Sequence, residues 1–136
     1  MRCALALILC VAAWAGDWVP IEVVATAYCP CRICCGDRAA GITADNTKVR
    51  DEPYGIASDP EKLPYDTWIY IPQGNGYLDR CKPNDDDRMF RVDDTGGTVR
   101  TKTRETGIIH IDLRYKGHAD AKRFGKKTIT IYKWVP

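Results

Sequence analysis

Val92-Asp93-Asp94-Thr95-Gly96-Gly97 places two carboxylates at the end of an apolar, strand-like run and follows them with a glycine turn. Two other segments repeat the theme: Ala57-Ser58-Asp59-Pro60 upstream and Ile109-His110-Ile111-Asp112-Leu113 downstream. A lone carboxylate in apolar surroundings is costly unless it is paired, hydrogen-bonded or protonated. Asp59, Asp94 and Asp112 in one small chain therefore point to a shared carboxylate site. Each also has a plainer reading: Asp59 opens a turn before Pro60, Asp94 opens the Thr-Gly-Gly turn, and Asp112 takes one buried hydrogen bond.

Working outward, Ile21 to Tyr28 is β-branched and partly alternating, and reads as a strand. Thr67-Trp68-Ile69-Tyr70-Ile71 is the clearest strand, ended by Pro72 and the Gly74-Asn75-Gly76 turn, and Trp68 is read as a core residue. Arg88 to Val92, Gly107 to Leu113 and Thr128 to Tyr132 follow the same pattern, and Gly55-Ile56-Ala57 is a short apolar piece before Asp59. His118 to Phe124, followed by Gly125, reads as a short helix with a glycine stop. Between the strands, Leu78 to Asp87 carries Cys81, Pro83 and Asp85-Asp86-Asp87. The triplet reads as a solvated loop, because the spaced ligands of a calcium hand are absent. Six short strands, one or two short helices and no βαβ alternation predict a compact, mostly β barrel.

The first residues have the layout of a secretory signal: Met1-Arg2, an apolar run from Cys3 to Ala12, then Ala13-Trp14-Ala15 before Gly16. Cleavage after Ala15 is expected, giving an exported protein of the periplasm, cell envelope or medium, with residues 16–136 as a single domain. The 136-residue chain carries 20 Lys and Arg against 18 Asp and Glu, a formal charge of +2, and loss of Arg2 brings it to +1. That balance has no electrostatic footprint for nucleic acid, which is excluded as an expected partner.

Seven cysteines occur, of which Cys3 and Cys10 would leave with the signal. Cys29, Cys31, Cys34 and Cys35 crowd into Tyr28-Cys29-Pro30-Cys31-Arg32-Ile33-Cys34-Cys35-Gly36, and Cys81 stands apart. In an exported protein such a cluster reads first as disulfide stapling, with Cys81 the preferred partner of one clustered cysteine. A metal site is the competing reading. It is placed second because structural zinc draws on two separated knuckles and no histidine is near in the sequence.

Thr26-Ala27-Tyr28, Gly41-Ile42-Thr43-Ala44, Gly55-Ile56-Ala57-Ser58-Asp59-Pro60, Leu63-Pro64, Asp94-Thr95-Gly96-Gly97, Ile111-Asp112-Leu113 and Ala121 through Phe124-Gly125-Lys126-Lys127 occur in this order. Over residues 22–133 the chain resembles the 3D domain, named for three aspartates. It is also similar to stationary-phase survival proteins and to the catalytic barrel of membrane-bound lytic transglycosylase A. The resemblance implies a six-stranded double-psi β-barrel acting on peptidoglycan glycan strands, and neither a cofactor nor a metal is expected. It implies Asp112 as acid/base, Asp94 and Asp59 as residues shaping its charge and position, and Thr26, Tyr28, Thr43, Thr95, Gly96 and Gly97 as sugar contacts. Two departures stand near the expected groove: Leu78 to Arg91 is longer than the usual hairpin, and Thr98 to Thr106 replaces a tight turn.

The chemistry implied is cleavage of the bond between N-acetylmuramic acid and N-acetylglucosamine, as a lytic transglycosylase giving 1,6-anhydro ends. A hydrolytic glycosidase, and a barrel that binds glycan through Trp68, Tyr70 or Tyr77 without cleaving it, are the alternatives. Asp94-Thr95-Gly96 also matches the aspartic protease loop. That mechanism needs two such loops, and one is present.

Overall fold

The computed structural model describes residues 15–82 and 87–136. The expected signal segment, save Ala15, and Asp85 and Asp86 of the acidic triplet lie outside the described residues.

The chain is mostly β. Six strands follow in order: β1 (Asp17–Tyr28), β2 (Ile56–Ala57), β3 (Trp68–Tyr70), β4 (Met89–Asp94), β5 (His110–Arg114) and β6 (Lys127–Val135). They form one sheet in the order β1-β5-β2-β4-β3-β6, and β6 returns to pair with β1, so hydrogen bonds ring the sheet. The β1–β5 and β2–β4 pairs are parallel, and the other four are antiparallel.

Alternation explains the core. Val23 and Ala25 of β1, Ile111 and Leu113 of β5, and Ile129 and Ile131 of β6 all point inward, with Ile56, Ile69, Phe90 and Val92 from the remaining strands. Trp68 departs from the core role expected of it: it is 48% exposed at the start of β3, and Ile69 takes the inner position. Tyr77 is fully buried, stacks near Phe90 and Tyr115, and donates its hydroxyl to Arg114 O at 2.7 Å. It belongs to the core and not to a sugar-binding rim.

Three helices accompany the strands: α1 (Arg32–Cys35), α2 (Gly97–Thr106) and α3 (His118–Phe124). The last has the bounds read from the sequence. Helix α2 occupies the Thr98 to Thr106 segment, to which no element was assigned from the sequence. Its four threonines have poor intrinsic helix propensity. It forms because Val99 and Thr103, four residues apart, bury one face, and Thr103 Oγ1 accepts the His110 amide at 3.0 Å. Gly107, in the left-handed region at φ 71°, ends it and returns its amide to Thr103 O.

Candidate carboxylate site

The ring brings distant residues into one row. Ala57 on β2 is the register partner of Asp112 on one side and of Asp94 on the other, and Asp112 is in turn the partner of Thr26 on β1. Thr26, Asp112, Ala57 and Asp94 thus lie across four adjacent strands. On β5 the core side chains are Ile111 and Leu113, so alternation turns Asp112 to the opposite face.

That face forms a cleft of about 470 Å³ lined by Tyr28, Thr43, Asp94, Thr95, Gly96, Gly97 and Asp112, with Cys34, Cys35 and the first turn of α2 closing its sides. A second hollow of about 760 Å³ joins it through Pro30, Ala39, Gly41, Ile42 and Val49, and carries Lys48, Arg50 and Lys116.

The two cleft carboxylates have different surroundings. Asp94 is an acceptor three times over: Tyr28 Oη donates to Oδ2 at 2.6 Å, and the Ala44 and Thr95 amides donate to Oδ1 at 3.0 and 2.9 Å. Asp112 has one side-chain donor, Thr26 Oγ1 at 3.2 Å from Oδ1. Burial raises the Asp112 carboxyl to about 6, the Thr26 hydrogen bond works against the rise, and the charge of Asp94 adds to it. A carboxylic acid with that affinity keeps a substantial protonated fraction in mildly acidic solution and can both give and take a proton.

Asp59 is placed differently. Its buried carboxylate accepts Arg104 Nε of α2 at 3.1 Å and the Glu61 amide at 3.1 Å, and its carbonyl accepts the Lys62 and Leu63 amides. It builds the turn after β2 and anchors α2, and it does not line the cleft. The expected crowding of Asp112 by two aspartates reduces to crowding by Asp94.

Two residues at the site went unassigned in the sequence. Between Ile56–Val92 and Ala57–Asp94 the β2–β4 register skips one residue, which makes Asp93 the extra residue of a β-bulge. Asp93 is buried at the bulge, and both of its oxygens accept the buried guanidinium of Arg114, one of them at 2.8 Å. Arg114 Nη1 also donates to Tyr28 Oη at 3.2 Å. The sequence signal was present, an Asp-Asp pair and an arginine at the end of a strand, but neither partner was visible to the other. Burial works against the Arg114 charge and the Asp93 carboxylate more than restores it, so the guanidinium holds its proton more firmly than usual. Burial likewise pushes the Tyr28 hydroxyl well above its ordinary range, leaving it a donor to Asp94.

Among the other expected contacts, Thr43 and Thr95 face the cleft with hydroxyls already engaged, Thr43 with Asp45 at 2.7 Å and Thr95 with Ser58 O at 2.7 Å. Gly96 caps α2 and Gly97 opens it, and both line the cleft without side chains.

The five cysteines among the described residues are free thiols, so the expected bridges, including one to Cys81, are not formed. Cys81 is exposed on the connection between β3 and β4. Cys29, Cys31 and Cys34 instead converge on His118, the first residue of α3.

Comparison with protein-family models finds none that matches the chain, and comparison with curated proteins finds no match.

Proposed function

We propose that the chain is an exported peptidoglycan-active enzyme of the 3D type, built as a double-psi β-barrel, in which Asp112 cleaves the β-1,4 bond between N-acetylmuramic acid and N-acetylglucosamine. The closed hydrogen-bonded ring with two parallel pairs supports the barrel. The observation that carries the chemistry is the Asp112 carboxyl, raised to about 6 beside Asp94 on the wall of an open cleft.

In this reading the protonated Asp112 gives its proton to the departing glycosidic oxygen as positive charge develops at the anomeric carbon. The Asp94 carboxylate, fixed by Tyr28 and two amides, stabilises that charge without having to reorganise. Asp112, now a carboxylate, takes the proton of the muramic acid 6-hydroxyl. That oxygen attacks the anomeric carbon and closes a 1,6-anhydro ring, and no water is consumed. Lys48, Arg50 and Lys116 on the adjoining hollow would meet the carboxylates of a peptide stem.

The test is incubation of purified sacculi with wild-type protein and with Asp112→Asn. Soluble glycan fragments from the wild type alone are expected, with both proteins retained on sacculi. Retention of both without release by either would identify a glycan-binding barrel.

A further inference from the structure

The geometry points to a structural zinc site formed by Cys29, Cys31 and Cys34 with Nδ1 of His118, separate from the carboxylates of the cleft. The four ligand atoms all lie within 4.8 Å of one another. Nδ1 of His118 stands 3.7, 3.7 and 3.5 Å from the Sγ atoms of Cys29, Cys31 and Cys34. A tetrahedral zinc with bonds of about 2.3 Å to sulfur and 2.0–2.1 Å to nitrogen has sulfur–nitrogen edges of about 3.6 Å and sulfur–sulfur edges of about 3.8 Å. The three edges to His118 already have that length. The sulfur edges are shorter, 2.8 Å for Cys29–Cys31 and 3.4 Å for Cys29–Cys34. Cys31 is only half-buried and Cys34 is exposed, so both can open to the full edge by turning their side chains outward.

Three thiolates and an imidazole in tetrahedral reach form the Cys₃His set of structural zinc sites. Cys35 is outside the set, since its thiol faces Cys29 O at 3.3 Å. Asp120, which shares α3 with His118, is taken by Arg123 at 2.9 Å.

The consequence for the fold is specific. One ion would tie the turn that follows β1 to the first residue of α3, across a sequence separation of 84 from Cys34 to His118. Cys34 and Cys35 also wall the cleft, so the ion would fix that wall. Metal binding displaces thiol protons to solvent and involves no oxidant or reductant.

The test is metal analysis of the mature chain, purified with reductant, equilibrated with zinc and desalted, with cobalt(II) replacing zinc in a parallel sample. Stoichiometric zinc is expected, together with thiolate-to-cobalt charge transfer and the intense visible bands of a tetrahedral ion. Cys34→Ser and His118→Ala should each weaken zinc binding by at least about a hundredfold, beyond the effect of losing an outer-sphere partner. Cys35→Ser, Cys81→Ser and the replacement ligand in His118→Cys should keep the ion. Zinc-free wild-type protein, an octahedral cobalt spectrum, or zinc retained in both ligand variants would overturn the assignment. Because no glycan enters these measurements, their outcome is independent of whether the cleft cleaves one.

Discussion

Asp93 and Asp94 are adjacent in the chain and serve different partners: Asp93 pairs with buried Arg114, and Asp94 accepts the Tyr28 hydroxyl in the cleft. The β-bulge at Asp93 takes the two carboxylates out of the regular alternation, leaving Asp93 buried and Asp94 half-buried. The two aspartates should therefore fail differently. Asp93→Asn leaves a buried guanidinium short of its counter-charge and should cost about 3–5 kcal/mol in urea denaturation. Asp94→Asn should leave the midpoint within about 1 kcal/mol and cut glycan release by about a hundredfold or more, as for loss of a preorganised charge. Equal losses of stability in the two variants would contradict the division.

Asp112→Asn should trade activity for stability. Burial raises the folded-state carboxyl to about 6, above the ordinary aspartate value of about 3.9, so the folded chain binds the proton more tightly than the unfolded one. Stability contributed by that protonated group is present below about pH 4 and is lost as pH rises to about 6. The amide carries no charge at any pH. At pH 7 the variant should be more stable by about 2–3 kcal/mol, with the gain shrinking below pH 6 and absent below pH 4. Denaturation midpoints across pH 3–8 measure it. Wild-type glycan release should fall as pH climbs through about 6, where the acid is spent.

Arg104→Met removes the cation that holds buried Asp59. The change should lower stability by about 1–3 kcal/mol through an unpaired buried carboxylate, loosening α2. Turnover per folded molecule should stay within a few-fold of wild type, because neither residue lines the cleft. A loss of turnover as deep as that of Asp112→Asn would return Asp59 to the reacting site.

Gly55 passes directly over the Asp93–Arg114 pair, and a Cβ there would stand 2.6 Å from Asp93 Oδ1. Gly55→Ala should destabilise by about 1–3 kcal/mol, since the pair is fixed on both sides and cannot yield. Calorimetry of the purified variant checks this.

Local pattern carried the strands and α3, because alternation and a glycine stop are properties of neighbouring residues. Helix α2 was not legible, since its threonines argue against a helix and only packing of Val99 and Thr103 on β5 decides for it. The cleft pair Asp94 and Asp112 was legible as carboxylates in apolar runs, and the row through Ala57 gives the reason they meet. The Asp59 turn was legible too, but its partner Arg104 was not. His118 was read as a helix start, and its approach to the cysteines depends on β5 pairing in parallel with β1, which no local signal encodes.

The most direct measurement of the central claim is mass spectrometry of the fragments released from purified sacculi. Disaccharide-peptides ending in 1,6-anhydro-N-acetylmuramic acid, one water lighter than hydrolytic products and absent with Asp112→Asn, are the predicted result. Reducing-end fragments would identify hydrolysis instead, and fragments released equally by Asp112→Asn would contradict the assignment of Asp112 as the acid.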